Sequence, residues 1–419
     1  MKIRNLNFIK IFFIAIKNYS TVINNGFILL ISLIQTTILT KILNQSDYGL
    51  YGYFVSTTQL LYVITNWGLL SWGVDKISKI NSEGNIIMNV IVNSRALSGL
   101  ITLFGIIIFY RFQKTNYDTL VILSFVIYYL SLVFSVDIFY ISYGNIKKLT
   151  IVTFFAKAVY FLIFLFSLIY IKSPNLFFLL FSIQNLITSI FYYLFNENKI
   201  KLYFLNFTNS IKILKESTPN FTIVLFSFFF ASGPTLIAGS YLIKSEFSLV
   251  YASTAIIKML QIAYNPMIQK ILPKLNRLEI GKRGSILKKI KLDLFLAIFY
   301  SIFCIVFLWV FAPIIVKLLF NKNYIGLTFA IKLFSFSILP GILSTIIMSQ
   351  IVVYQNLFKQ ASLLILILTI IIFFNLIYYS NSLTAIYVLK IMIYGEYSLC
   401  ILLIILCKYL NKFSYEKLY

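Results

Sequence analysis

The sequence predicts an all-α integral membrane protein of about 12 transmembrane helices in two parallel six-helix repeats. Three observations carry this. First, 60% of the 419 residues are hydrophobic and 11% charged, and the mean hydropathy is +0.91. No soluble fold hides that much apolar surface, so lipid is the solvent, and open sheet cannot survive there. Second, twelve apolar stretches, each near the roughly 20 residues a spanning helix needs, divide the chain at about 20–41, 49–72, 85–110, 119–143, 150–171, 175–195, 218–241, 247–269, 292–316, 325–354, 359–379 and 383–407. Third, 24 of the 36 basic residues fall at the two ends or in every second gap, 7 fall in the alternate gaps and 5 inside the stretches. That is the positive-inside pattern of a multi-pass protein with both termini cytoplasmic.

The net charge of +24 therefore points to anionic membrane lipids rather than nucleic acid. The first stretch has no evident small-residue cleavage site and reads as a span, not a signal peptide. The largest gaps, around 196–217 and 270–291, are basic. The second carries Lys270, Lys274, Arg277, Lys282, Arg283, Lys288, Lys289 and Lys291, and reads as a topology determinant on acidic headgroups or as a docking surface for a partner enzyme. Gly281-Lys282-Arg283-Gly284-Ser285 lacks the spacing of a phosphate loop. Cys304, Cys400 and Cys407 lie inside spans, which gives neither a disulfide framework nor metal spacing. Histidine is absent, so proton coupling would fall to a carboxylate. No cofactor is expected.

The two repeats rest on one internal match. Ser46-Asp-Tyr-Gly-Leu50 and Ser245-Glu-Phe-Ser-Leu249 each follow one apolar span and open the next, and Leu43 and Leu242 share the 199-residue offset. The expected lobes are 1–200 and 201–419. Parallel repeats related by an axis along the membrane normal are a secondary-transporter architecture, with substrate handled at the interface between halves. Six of the seven prolines lie in the second half, and Gly233-Pro234 and Pro340-Gly341 interrupt spans 7 and 10. They read as hinges for alternating access or as static kinks.

Charges inside the membrane are costly and face a cavity or a partner. The basic ones are Arg95, Lys157, Lys258, Lys332 and Lys390; the acids are Asp137 and Glu396. Asp137 and Lys157 flank the hairpin between spans 4 and 5 at equal depth, which suggests an ion pair, with a substrate or coupling role as the alternative. Lys390 lies about 120° round the helix from Glu396, so the two do not share a face. Glu396 is then open to proton or sodium coupling, or to a cation on another helix. With two acids against five bases, at least three cations stay unmatched. This excess suits an anionic substrate, with Arg well matched to phosphate. Lys332 and Lys390 lie nearer the outer face and could snorkel. Arg95 and Lys258 sit mid-span.

Several segments resemble the polysaccharide repeat-unit (O-antigen type) flippases of the MATE-like superfamily. Leu43-Asn-Gln-Ser-Asp-Tyr-Gly-Leu-Tyr51 is similar to that family's leucine, acidic residue and Tyr-Gly-Leu-Tyr, and Trp67-Gly68-Leu69 and Asp75–Lys79 follow in the family's order. Asp137–Lys148 with Lys157 resembles its Asp-Trp-x-Phe-x-x-Gly-x-Glu-Lys segment and following lysine, although Ile138 and Ile146 stand for the Trp and Glu. Leu249–Lys258 and then Pro273 resemble its Leu-Tyr-x-x-Ala-x-Lys and Pro, with Ser248 in place of a glycine. The resemblance implies the MATE-like transporter fold and no enzymatic activity. It implies transport of an undecaprenyl-diphosphate-linked oligosaccharide from the inner to the outer leaflet of a bacterial inner membrane, for O-antigen or capsule. H+ or Na+ would be the coupling ion, with a polymerase and glycosyltransferases as partners. On that reading Arg95 and Lys258 bind the pyrophosphate, with Lys157, Lys332 and Lys390 in support, and Asp137 or Glu396 couples the ion. The rivals are a cell-wall precursor flippase, a multidrug exporter, and a repeat-unit polymerase or lipid-dependent glycosyltransferase. The enzymes generally carry a sizeable outward loop, and the outward gaps here are short.

Overall fold

The computed structural model describes residues 26–79, 84–112, 119–168, 173–196, 207–269, 283–321, 324–352 and 357–416. The basic segment 270–282 therefore lies outside the described residues. In chain order the helices are α1 Gly26–Ile42, α2 Gln45–Asn66, α3 Leu69–Lys79, α4 Gly84–Phe112, α5 Thr119–Val133, α6 Asp137–Ser142, α7 Ile146–Ser167, α8 Pro174–Leu194, α9 Phe207–Ala231, α10 Gly233–Tyr241, α11 Lys244–Gln269, α12 Arg283–Leu319, α13 Leu327–Phe334, α14 Ile338–Ile346, α15 Phe358–Tyr378 and α16 Ala385–Glu416. No strand occurs among the described residues.

Nine spans among the described residues are long and apolar enough to cross a membrane, or ten when bent α9–α10 is counted as one. The described part of the first predicted span, α1, is shorter. The second predicted span is replaced by α2, whose 22 residues include Ser56, Thr57, Thr58, Gln59, Thr65 and Asn66. Its polar residues are largely buried, so helix neighbours rather than lipid receive them. Lipid-facing helices are inside out by comparison. Along α12 the small residues Ala297, Ser301, Cys304 and Ala312 are buried, while Phe295, Phe299, Phe303 and Val310 are more than 60% exposed. Large apolar side chains exposed in such numbers need a hydrocarbon solvent.

Several predicted spans contain breaks. Span 49–72 ends at Asn66, where Trp67 (φ 41) and Gly68 (φ 68) turn the chain. The following α3 is amphipathic: it buries Leu69, Gly73 and Ile77 one turn apart and carries the exposed Lys79–Asp75 ion pair at 2.7 Å. Span 119–143 breaks at residues 134–136 without proline or glycine. At Gly233-Pro234, α9 and α10 meet at 51°. Pro340 sits in the first turn of α14, after a 3-10 turn at Ser335–Ser337. There its missing N–H is tolerated. A π-helical turn, Ile347–Val352, continues α14.

The described helices form two compact units, residues 1–36 with 57–225, and residues 37–56 with 226–419. In the first unit the Trp67 indole stacks on Phe221 at 3.9 Å and 7° and donates to the Leu214 carbonyl at 3.1 Å. In the second, the start of α2 packs against the start of α11, whose first residues, 45 and 244, keep the 199-residue offset. The Gln45 amide donates to Ser245 O at 2.9 Å, and Gly49 lies against the Lys244 backbone so closely that a Cβ would overlap it. Tyr48 is enclosed by Tyr51, Tyr251, Phe320 and Tyr324. The paired motif segments thus pack on each other.

Candidate functional site

Helix breaks expose backbone carbonyls that have lost their helical donors, and a cation sits at one break in each unit, buried in the first and half-buried in the second. In the first unit Arg95 of α4 is 1% exposed. Its Nη1 donates to the carbonyls of Ser135 at 2.5 Å and Leu132 at 3.4 Å, in the gap between α5 and α6. Its Nη2 lies 3.7 Å from Asp137 Oδ1, and the Ser135 hydroxyl donates to the same carboxylate oxygen at 3.0 Å. Asp137 is the first residue of α6, where negative charge also suits the helix end. The predicted Asp137–Lys157 pair is not formed. Asp137 belongs to Arg95, and Lys157 Nζ donates to the Ser32 hydroxyl at 3.3 Å. The reason is that the kink after Val133 presents the Ser135 carbonyl and Asp137 together to α4, and a planar guanidinium reaches both.

In the second unit Lys258 of α11 reaches the break between α9 and α10. Its Nζ donates to Ala231 O at 3.3 Å and Ser232 Oγ at 3.2 Å. Pro234 has no N–H, so the turn cannot close helically. Lys258 also lines a cavity of about 470 Å3, whose wall includes Glu396. No direct salt bridge joins the two among the described residues, yet their charges interact across the cavity. Glu396 therefore shares the cavity wall with a cation of another helix, without the direct ion pair that was one alternative expected for it.

The remaining cations are dispersed. Lys332 Nζ lies 5.7 Å from the Trp309 ring centroid, a cation–π contact, and Lys390 is exposed. The sites thus separate into Arg95 with Asp137, Lys157 with Ser32, and Lys258 with Glu396.

Sequence reasoning missed the polar wall of the cavity. Ser337, Gly341, Ser344, Thr345 and Met348 line it at helical spacing, a polar stripe that periodicity alone would have shown. Gln261 of α11 also lines it and donates from Nε2 to Ser337 O at 3.2 Å. Its amide rests where a Gly341 Cβ would stand. Asp293, at the edge of the predicted span 292–316, was missed as well. It accepts from Gln350 Nε2 at 3.0 Å, and Gln350, in the π-helical turn, is fully buried.

Comparison with known proteins adds to this geometry. The family model described as "Polysaccharide biosynthesis protein" matches residues 17–279. Among solved structures, a lipid II flippase MurJ in an inward closed conformation superposes with TM-score 0.72 at 15% identity, covering 93% of this chain and 87% of that one. An inward-facing multidrug resistance MATE family transporter of the MOP superfamily gives TM-score 0.63 at 14% identity, covering 90% and 93%. The outward-facing form of a MATE family transporter gives 0.58 at 13%, covering 93% and 92%. At such identities the likeness is one of fold, and it agrees with the expected MATE-like architecture. No curated protein matches.

Proposed function

We propose that this chain, which belongs to the polysaccharide biosynthesis protein family through its match over residues 17–279, is a flippase for a polyprenyl-diphosphate-linked oligosaccharide in surface polysaccharide assembly. The single observation that carries the reading is Lys258. It is a membrane-embedded cation on the wall of a polar cavity, next to a helix break, in a multi-pass member of a polysaccharide biosynthesis family. A diphosphate is the anionic part of such a lipid, and a buried ammonium binds phosphate oxygens without a preset geometry.

The other candidate cations take different roles in this proposal. Arg95 spends its guanidinium on the α5–α6 break and on Asp137, so it holds the first unit together and does not meet the ligand in this conformation. Lys157 keeps donors beyond its bond to Ser32 and is the second phosphate candidate. Lys332 and Lys390 are peripheral. Glu396, facing the cavity, is the preferred carboxylate for H+ or Na+ coupling over Asp137, which Arg95 and Ser135 already engage. The protein itself performs no chemistry: the lipid tail stays in the bilayer while the glycan crosses, in an inner membrane with both termini cytoplasmic.

The test uses proteoliposomes carrying a labelled polyprenyl-diphosphate oligosaccharide and an external glycan-modifying enzyme. We expect protein-dependent exposure of the label, reduced at least about tenfold in Lys258→Ala, as loss of a charged contact implies. Glycan lengthening with no change of leaflet would replace the flippase with a polymerase.

A further inference from the structure

Building on the reading of Lys258 as an anion contact, we propose that the same cavity holds a sugar-phosphate subsite, in which the α14 hydroxyls and Glu396 accept hydrogen bonds from the hydroxyls of the sugar next to the phosphate.

The direction of the wall's hydrogens decides what the cavity can hold. Ser337 Oγ donates to Phe334 O at 2.8 Å, Ser344 Oγ to Gly341 O at 3.0 Å, and Thr345 Oγ1 to Gly341 O at 2.7 Å. A hydroxyl has one hydrogen and two lone pairs. With the hydrogen spent on the helix backbone, what remains for the cavity is acceptor capacity. Gln261 commits one of its two Nε2 hydrogens to Ser337 O, and the ionised Glu396 carboxylate adds two acceptor oxygens. This wall therefore offers acceptors.

An ionised phosphate gains little from the row of hydroxyl oxygens, since it too is an acceptor, and it is repelled by Glu396 when that carboxyl is ionised. A ligand held here must bring donors of its own. The charged donor the cavity offers is Lys258: an ammonium has three N–H groups, and two are directed at Ala231 O and Ser232 Oγ. One cation beside a row of acceptors fits a single anionic group joined to a polyol. Within the proposed substrate that description is met at the junction between diphosphate and first sugar. A cationic drug would find Lys258 repelling it, and a bare lipid phosphate would leave the row unused.

The test measures equilibrium binding of two soluble probes, a hexose 1-phosphate and inorganic phosphate, to the purified full chain in detergent. The wild type is expected to bind the hexose phosphate about tenfold more tightly, the worth of one or two added hydrogen bonds. In the double variant Ser344→Ala/Thr345→Val that preference should vanish while affinity for inorganic phosphate stays the same, and thermal melting should show the variant folded. Gly341→Ala, whose methyl displaces only the Gln261 amide, should shrink the preference without removing phosphate binding. Equal binding of the two probes by the wild type, or a preference that survives in the double variant, overturns the subsite. The anion reading fails separately, if Lys258→Met leaves inorganic phosphate affinity unchanged.

Discussion

Arg95 and Lys258 do the same local job in different company. Each donates to a helix break, Arg95 to the Leu132 and Ser135 carbonyls and Lys258 to the Ala231 carbonyl and the Ser232 hydroxyl. Arg95 also has its acid within 3.7 Å and almost no exposure. Lys258 has its acid across a cavity and no salt bridge to it. One unit thus carries a closed electrostatic staple and the other an open one. A cation whose charge is already answered fixes a structure, whereas one whose charge is only partly answered is left to meet a ligand. Breaking the comparison means making the two cations behave alike.

The largest effect is expected at the closed staple. Arg95→Leu strips Asp137 and the Ser135 carbonyl of their buried cation; breaking a fully buried pair from one side costs about 3–5 kcal/mol, and with the Asp137 side chain 26% exposed the loss falls towards the lower end. Folded yield and melting temperature in detergent should both collapse. Arg95→Leu/Asp137→Leu should recover part of the loss, because removing both partners strands no charge. Full stability of the single variant would show the staple to be unimportant. Lys258→Met, by contrast, should melt within about 1 kcal/mol of wild type, the net worth of an ordinary hydrogen bond, while transport is lost. If it unfolds like Arg95→Leu, the two sites do not differ.

Much of this was legible from sequence, and what was not has physical causes. The apolar helices follow from hydropathy, and the cations within spans stand out because lipid penalises them. The partner of Asp137 did not, because a hairpin argument sees only residues near in sequence. The break that brings Asp137 to Arg95 lies in Phe134-Ser135-Val136, which has no proline or glycine to mark it. The break at Gly233-Pro234 was legible for the opposite reason, since a missing N–H is written in the residue type. The hydroxyl stripe of α14 was available to periodicity but was hidden in an otherwise apolar span.

Two glycines extend the comparison at smaller cost. Gly68 of the first unit has φ 68, and a Cβ there would lie 2.5 Å from the backbone nitrogen of Phe221. Gly68→Ala should destabilise by about 1–3 kcal/mol through strain alone, and the Trp67–Phe221 stack should loosen, which Trp fluorescence would report. Gly341 of the second unit has helical φ, and its Cβ would meet only the end of Gln261. Gly341→Ala should therefore change melting little. Should the two alanines prove equally destabilising, the rigid-versus-yielding contrast between the units would be wrong.

The smallest effect belongs to Lys332, which rests on Trp309 away from the cavity. A cation–π contact at a half-exposed site is worth about 0.5–1 kcal/mol. Lys332→Gln should shift melting slightly and leave hexose phosphate binding at the wild-type level. That near-silence is informative, because Lys332 and Lys258 carry the same charge inside predicted spans of the same unit. If charge within the membrane were enough to recruit the anion, both would lower affinity when neutralised. If the cavity decides, only Lys258 will, and a clear loss of phosphate binding in Lys332→Gln would shift the anion contact towards α13.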